Sequence, residues 1–400
     1  MQARVSFIAG IALVTFTLGA GPAHAQKYDN APVDVLKKVT SVAQQWANGT
    51  LSNYHAPKVT YSGKPITLRT SLHTPAVAYT SKVWKMQFDI LEKMSNGKIK
   101  PEYSWGGTVH NVSKGFEAVR DGLTDATPCW SFYKATSFPM MQSLFLPGIS
   151  PNAAVHALLA EKLYNKYFRQ EYERQGVYLG RIRATTVYLL FTKTPISTLD
   201  QLKGLKVRSG GGIHAAVWRA LGASPISMSS HDMYSAFQRG VVDAVSLSDS
   251  AAEVFKIDEL SKARTYANLS RVVLEMCLSK QWVDALPADL RAVLEVWGRA
   301  ASQADTQLAF MLHGAEARVK FHKMGMKFVD LSDAQEDLWQ KKASVVIDNF
   351  IKTNEAKGLP ARALVNDMRK IAAQYKDKTP NEIFMEVLEH PVTGIIPPKS

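Results

Sequence analysis

The chain has 400 residues, 46% of them apolar, and carries 48 basic against 35 acidic side chains for a formal net charge of +13. This length and composition suit two packed α/β lobes and exclude a disordered or fibrous chain. The basic excess points to an anionic small ligand or an acidic partner, and without any basic tract it argues against nucleic acid.

Residues 1–25 read as a signal peptide. Arg4 is the basic start, Val5 to Leu18 the apolar run, and Ala23-His24-Ala25 the small-residue cleavage site, so the mature chain is expected to begin at Gln26. The leader holds one basic and no acidic residue, which leaves the mature chain at +12. No later stretch reaches the roughly 18 apolar residues of a membrane span. No Cys follows the cleavage site, so no lipid anchor is expected, and the expected compartment is the periplasm. The two cysteines, Cys129 and Cys277, could form a disulfide after export or stay as buried thiols. Two such distant thiols build no metal site, and no cofactor motif occurs.

Residues 26–65 read as an N-terminal extension with a helical stretch from Val33 to Trp46. From Ile66 the pattern alternates. Ile66 to Leu72 is a strand, Tyr79 to Met94 a helix with Val83, Trp84, Phe88, Leu91 and Met94 on one face, and Ile99 to Tyr103 a strand. Gly106-Gly107 follows. Ser113 caps a helix through Arg120, and Asp125 to Cys129 is the third strand. Such alternation predicts a parallel sheet covered by helices. The segment Phe116 to Ala126 is echoed by Tyr234 to Ala244, with Gly122/Gly240 and Asp125/Asp243 at a constant offset. Two related β-α-β arrays, facing each other across a cleft at their strand ends, explain the echo.

Ser197 to Asp249 contains the sharpest signal. Ser197 and Asp200 start a short helical turn that Gly204 stops. Leu205 to Val207 is a strand with Arg208 at its end, Gly210, Gly211 and Gly212 make a tight turn, and Ile213 to Leu221 is a helix. A guanidinium beside a helix N-terminus is an anion seat, because the planar fork matches a carboxylate. Beyond it, Arg271 to Ser279 reads as a strand and Pro287 opens a helix from Ala288 to about Met324. That helix would span over 50 Å at about 1.5 Å per residue. Met326 to Leu331 is a strand and Asp333 to Asn354 a helix, before a basic tail from Lys357 to Ser400.

This ordered set resembles the DctP-like solute-binding proteins of tripartite ATP-independent periplasmic (TRAP) transporters. The match rests on L-K-G-L-K-V-R at Leu202 to Arg208, the helix-Gly-V-V-D of Phe237 to Asp243, and W-x-x-x-L-P at Trp282 to Pro287 before the long helix, with Gly97-Lys98-Ile99-Lys100, Gly106-Gly107 and Glu117 to Asp125 in the first lobe. The resemblance implies a periplasmic-binding-protein-like fold with crossing strands and a long helix spanning both lobes. The implied division is 66–185 with 274–313 as one lobe, 186–273 with 314–349 as the other, and 350–400 as a tail. It further implies that Arg208 grips the carboxylate of a small organic acid, that the lobes close over it, and that the membrane subunits of a TRAP transporter receive it. A monomer is the expectation, with a dimer as the alternative.

The sequence also departs from the family pattern. The second arginine that sialic-acid binders carry twenty residues before Arg208 is Tyr188 here. Trp130 stands where an acidic residue is common, Ser209-Gly210-Gly211 replaces Val-Pro, and Ala244 to Ser248 replaces G-x-E-N-P. These changes imply a ligand with one acid group and a flat or apolar remainder. The candidate ligand contacts are therefore Arg208, Trp130, Tyr188, His73, Gly211, Ser246, Ser248, Asn111 and Trp105, with Asp243 as a turn or packing residue. The competing readings are a secreted two-lobed enzyme acting on an anionic substrate and a binding protein feeding a membrane sensor or an ATP-driven (ABC) importer. The absence of G-x-S-x-G, H-E-x-x-H and G-K-[ST] disfavours the enzyme, and no catalytic residue is assigned.

Overall fold

A computed structural model describes residues 28–398. The leader, its cleavage site and Gln26 lie outside the described residues. Two sheets form the frame. The first contains β1 (Ile66–Ser71), β2 (Ile99–Ser104), β3 (Ala126–Pro128), β4 (Val177–Ala184) and β10 (Val273–Ser279), in the order β2-β1-β3-β10-β4. The second contains β5 (Leu189–Thr192), β6 (Lys206–Ser209), β7 (Ser224–Ser227), β8 (Ala244–Leu247), β9 (Ala263–Tyr266) and β11 (Lys327–Asp330), in the order β11-β9-β5-β8-β6-β7.

The sheets are mixed rather than parallel. β10 runs antiparallel to β3 and β4, and β5 runs antiparallel to β8 and β9. The reason is topological. The chain leaves β4 at the end of the first lobe and enters the second as β5, then returns from β9 into β10. Each sheet thus receives one strand from the opposite side.

The internal echo has a structural cause. In the first copy, helix Gly115–Arg120 ends at Gly122, and the Asp125 carboxylate accepts from the Arg69 N–H at 2.9 Å at the edge of β1. In the second, helix Met233–Gln238 ends at Gly240, and Asp243 accepts from the Lys206 N–H at 3.0 Å. Each aspartate also donates its own N–H to the carbonyl of that same basic residue. The aspartate thus registers one parallel strand on the next, and φ is +76° and +74° at the two glycines, a region that suits glycine. The first of these helices is entered through a short turn, Val112–Lys114, capped by Asn111 rather than Ser113.

The long helix runs from Ala288 to Lys323, interrupted by a π-helical segment at Thr306–Leu312. Its first part packs on β4 and helix Tyr79–Met94, and its last part packs on helix Asp249–Val254, so it joins both lobes. The extension forms two helices, Val33–Val39 and Ser41–Ala47, rather than one. The second packs with the terminal helix Pro380–Glu389 on the first lobe, and the first packs on the π-helical segment and on helix His313–Lys323. Asp29, near the start of the described chain, pairs with Arg271 in the β9–β10 crossing at 2.7 Å and accepts from the Ala153 N–H at 3.0 Å. Cys129 and Cys277 form a disulfide with Cα atoms 5.7 Å apart, which settles the thiol question and ties the end of β3 to β10.

Candidate functional site

A chamber lies where the two sheets face each other. Its lining comes from both lobes and the long helix: His73 after β1, Trp130 and Phe132 after β3, Arg183 on β4, Tyr188 in the crossing, and Arg208 on β6, with Ser230, Leu247, Phe255 and Phe310 completing it. The free space is about 40 Å³, and it shares the walls His73, Thr74, Ser230, Val254 and Phe255 with an adjoining space of about 350 Å³. The lobes are in contact around it. The Tyr133 hydroxyl accepts from the Ser230 N–H at 3.0 Å, and the Gln142 side-chain oxygen accepts from the Ile213 N–H at 3.2 Å.

Electrostatics single out Arg208. Eight described arginines are buried. Seven of them face a carboxylate: Arg181 and Arg183 share Asp305, Arg264 and Arg318 share Asp249, and Arg271, Arg291 and Arg299 meet Asp29, Asp284 and Glu161. Among the described residues Arg208 is in no ion pair, although it is only 3% exposed. It donates from Nη2 to the Met228 carbonyl at 2.9 Å, and its Nε has no partner. A desolvated guanidinium without a counter-charge is costly unless an anion joins it.

Apart from Arg183, which is paired with Asp305, the remaining polar groups of the chamber are neutral. Burial, reinforced by Arg183, pushes the His73 imidazole down to about 3, and burial with Arg208 does the same to His214. Burial raises the Tyr188 phenol above its ordinary value. His73 sits edge-on to Trp130, with ring centroids 4.9 Å apart, and stacks on Phe255 at 6.0 Å. The Trp130 Nε1 and the His73 Nδ1 are buried without a partner, as is the Ser230 hydroxyl. No Asp or Glu lines the space.

Of the sequence candidates, Arg208, Trp130, Tyr188 and His73 come together here. The other five lie elsewhere. Gly211 (φ +109°) and Gly212 (φ +55°) form the turn where the lobes touch, and a Cβ on Gly212 would lie 2.0 Å from the Gln142 side-chain oxygen. The glycines therefore admit the opposite lobe. Ser246 hydrogen-bonds His214 behind the chamber at 3.0 Å, because β8 turns Leu247 inward instead. The Ser248 hydroxyl caps helix Asp249–Val254, Asn111 caps its own turn, and Trp105 stacks on Tyr103 at 5.2 Å. Asp243 serves β6, as described above. Sequence reasoning missed Arg183, Ser230, Phe255 and Phe310. Arg183 offered one usable signal, a charged residue in an otherwise apolar strand. Among the described residues no cluster of His, Cys, Asp and Glu could hold a metal ion, and no helix is long and apolar enough to cross a membrane.

Residues 73–354 match the family model described as bacterial extracellular solute-binding protein, family 7. A solute-binding protein of Albidiferax ferrireducens is 24% identical over 264 residues, 62% of this chain and 75% of that protein. A TRAP solute-binding protein from Rhodoferax ferrireducens, solved with copurified benzoate, superposes with a TM-score of 0.73 at 19% identity and covers 78% of this chain and 98% of its own. A TRAP periplasmic solute-binding protein from Bordetella bronchiseptica, solved with (R)- and (S)-mandelate, gives 0.72 at 25% identity and covers 78% and 99%.

Proposed function

The chain belongs to family 7 of the bacterial extracellular solute-binding proteins, and we propose that it captures a small organic acid in the chamber and delivers it to the membrane subunits of a TRAP transporter. The observation that carries this reading is Arg208, the described buried arginine that lacks a carboxylate. The ligand carboxylate takes that vacant place as a paired contact. Trp130, Tyr188 and His73 form the wall around its body. The acid has a flat or apolar body, a reading supported by the aromatic lining and by the mandelate bound to the 25% identical relative.

The placement of the groups supports closure. Arg208 and Ser230 belong to the second lobe, His73 and Trp130 to the first. Only a closed form touches the ligand from both sides, so the ligand selects it. In an open form Arg208 would be hydrated and ready to meet an anion. Nothing in this cycle makes or breaks a covalent bond, and the protein acts as a carrier in the periplasm.

The test is a thermal-shift screen of ligand-stripped mature protein across aromatic, branched, keto- and dicarboxylic acids, with calorimetry on the hits. At least one acid should raise the melting midpoint by about 3 °C or more at a hundred times its Kd, since such saturation adds about 2.7 kcal/mol. No response to any acid overturns the proposal.

A further inference from the structure

The charge count around the chamber exceeds what one carboxylate neutralises. Arg183 is buried on β4 and donates from Nη1 to the Asp305 carboxylate at 2.8 Å. Asp305 is also the partner of Arg181. One aspartate therefore serves two guanidinium groups, and Arg208 has no carboxylate partner among the described residues. Three arginines against one carboxylate leave a formal surplus of two positive charges.

Nothing else on the walls offsets this surplus. His73 and His214 are neutral, and the lining contains no acidic residue. Glu275 follows the chamber-lining Leu274 on β10, so its side chain points to the other face, where it accepts from the Ser131 hydroxyl. The two cations also occupy different walls. Arg208 sits in the second lobe, whereas Arg183 sits at the end of the first with its guanidinium 5.2 Å from the Phe310 ring centroid. Trp130, Phe132 and Phe255 line the same chamber. Such a layout fits a flat ring with an anion at each end.

Resting on the reading of Arg208 as the carboxylate seat, we infer that Arg183 is a second anion-binding residue and that the captured acid is a compact aryl dianion, a single ring bearing two acid groups. Arg208 holds one group in the second lobe. Arg183, half-released from Asp305, holds the other in the first. Each lobe thus contributes one cation, and the ligand joins them as the chamber closes.

The experiment is calorimetry on the full mature chain with the three benzenedicarboxylate isomers, benzoate and succinate, for the wild type, Arg183→Met and Arg208→Met. At least one isomer should bind ten times more tightly than both benzoate and succinate. Arg183→Met should weaken that isomer at least tenfold and change benzoate less than threefold. Arg181 still accompanies Asp305 in this variant, so the fold should survive, and Arg183→Lys, which keeps the charge without the fork, should fall between. The inference is overturned if benzoate binds as tightly as every isomer, if succinate outcompetes them, or if Arg183→Met weakens both ligand types alike. In those cases an Arg208-dependent affinity for any acid still upholds the proposed function, whereas binding of none overturns both.

Discussion

Replacing Arg208 by methionine should separate binding from stability. The variant keeps most of the side-chain volume and removes the charge. If the ligand carboxylate is desolvated against this guanidinium, its loss should cost about 2–5 kcal/mol of binding, because the ligand charge is left unpaired. At 1.36 kcal/mol per decade that is a roughly 30- to 5,000-fold rise in Kd. The unliganded protein loses one hydrogen bond to the Met228 carbonyl, worth about 1 kcal/mol. Its melting midpoint should stay within about 2 °C of the wild type. Arg271→Met is the control. That change strands Asp29 together with the carbonyls of Ser150 and Pro151, and breaking such a buried pair costs about 3–5 kcal/mol, about 4–6 °C in a chain of this size. Calorimetric titration and differential scanning calorimetry read both quantities. If Arg208→Met binds within threefold of wild type, or loses as much stability as Arg271→Met, the view of Arg208 as a vacant counter-charge site is wrong.

Two further predictions concern stability. The Cys129–Cys277 bridge spans 148 residues, for which the chain-entropy model gives up to about 5 kcal/mol; reduction, or a Cys129→Ala, Cys277→Ala double variant, should lower the midpoint by about 3–6 °C. A midpoint that ignores dithiothreitol, or free thiol detected in the denatured unreduced chain, would count against the bridge. Burial lifts Glu275 to about 7, so its native carboxyl keeps a proton that the unfolded chain releases, and the stability it provides below about pH 4.5 is lost as pH rises toward 7. Glu275→Gln abolishes that titration, so its midpoint should gain about 3 °C on wild type between pH 5 and pH 8. A difference that is flat with pH would show that Glu275 does not titrate in this window.

What could be read in the sequence was local. Tyr79 to Met94 repeats its apolar residues at helical spacing, and that helix was placed without error at either end. Arg208 was legible because a strand, a glycine turn and a helix surround it in one continuous segment. His73, Trp130 and Tyr188 were legible because each follows a strand end or lies in the crossing that the topology brings to the cleft. The remainder depended on contacts between distant segments. Ser246 was placed one residue out of phase with the chamber, since neighbouring residues on β8 point to opposite faces. Phe310 reaches the lining from the π-helical segment, where the wider turn shifts the side-chain phase that a 3.6-residue period would assign. The sharing of Asp305 by Arg181 and Arg183 links positions more than 120 residues apart, and local patterning carries no trace of it.

The second extension helix and the final helix both rest on the first lobe, which also holds the Cys129–Cys277 bridge. Mass is therefore divided unequally between the lobes. The radius of gyration responds to the product of the two mass fractions, so the proposed closure of a lopsided molecule would register weakly in small-angle scattering. A donor and acceptor dye, one on each side of the cleft, would follow the same motion undiluted by this ballast.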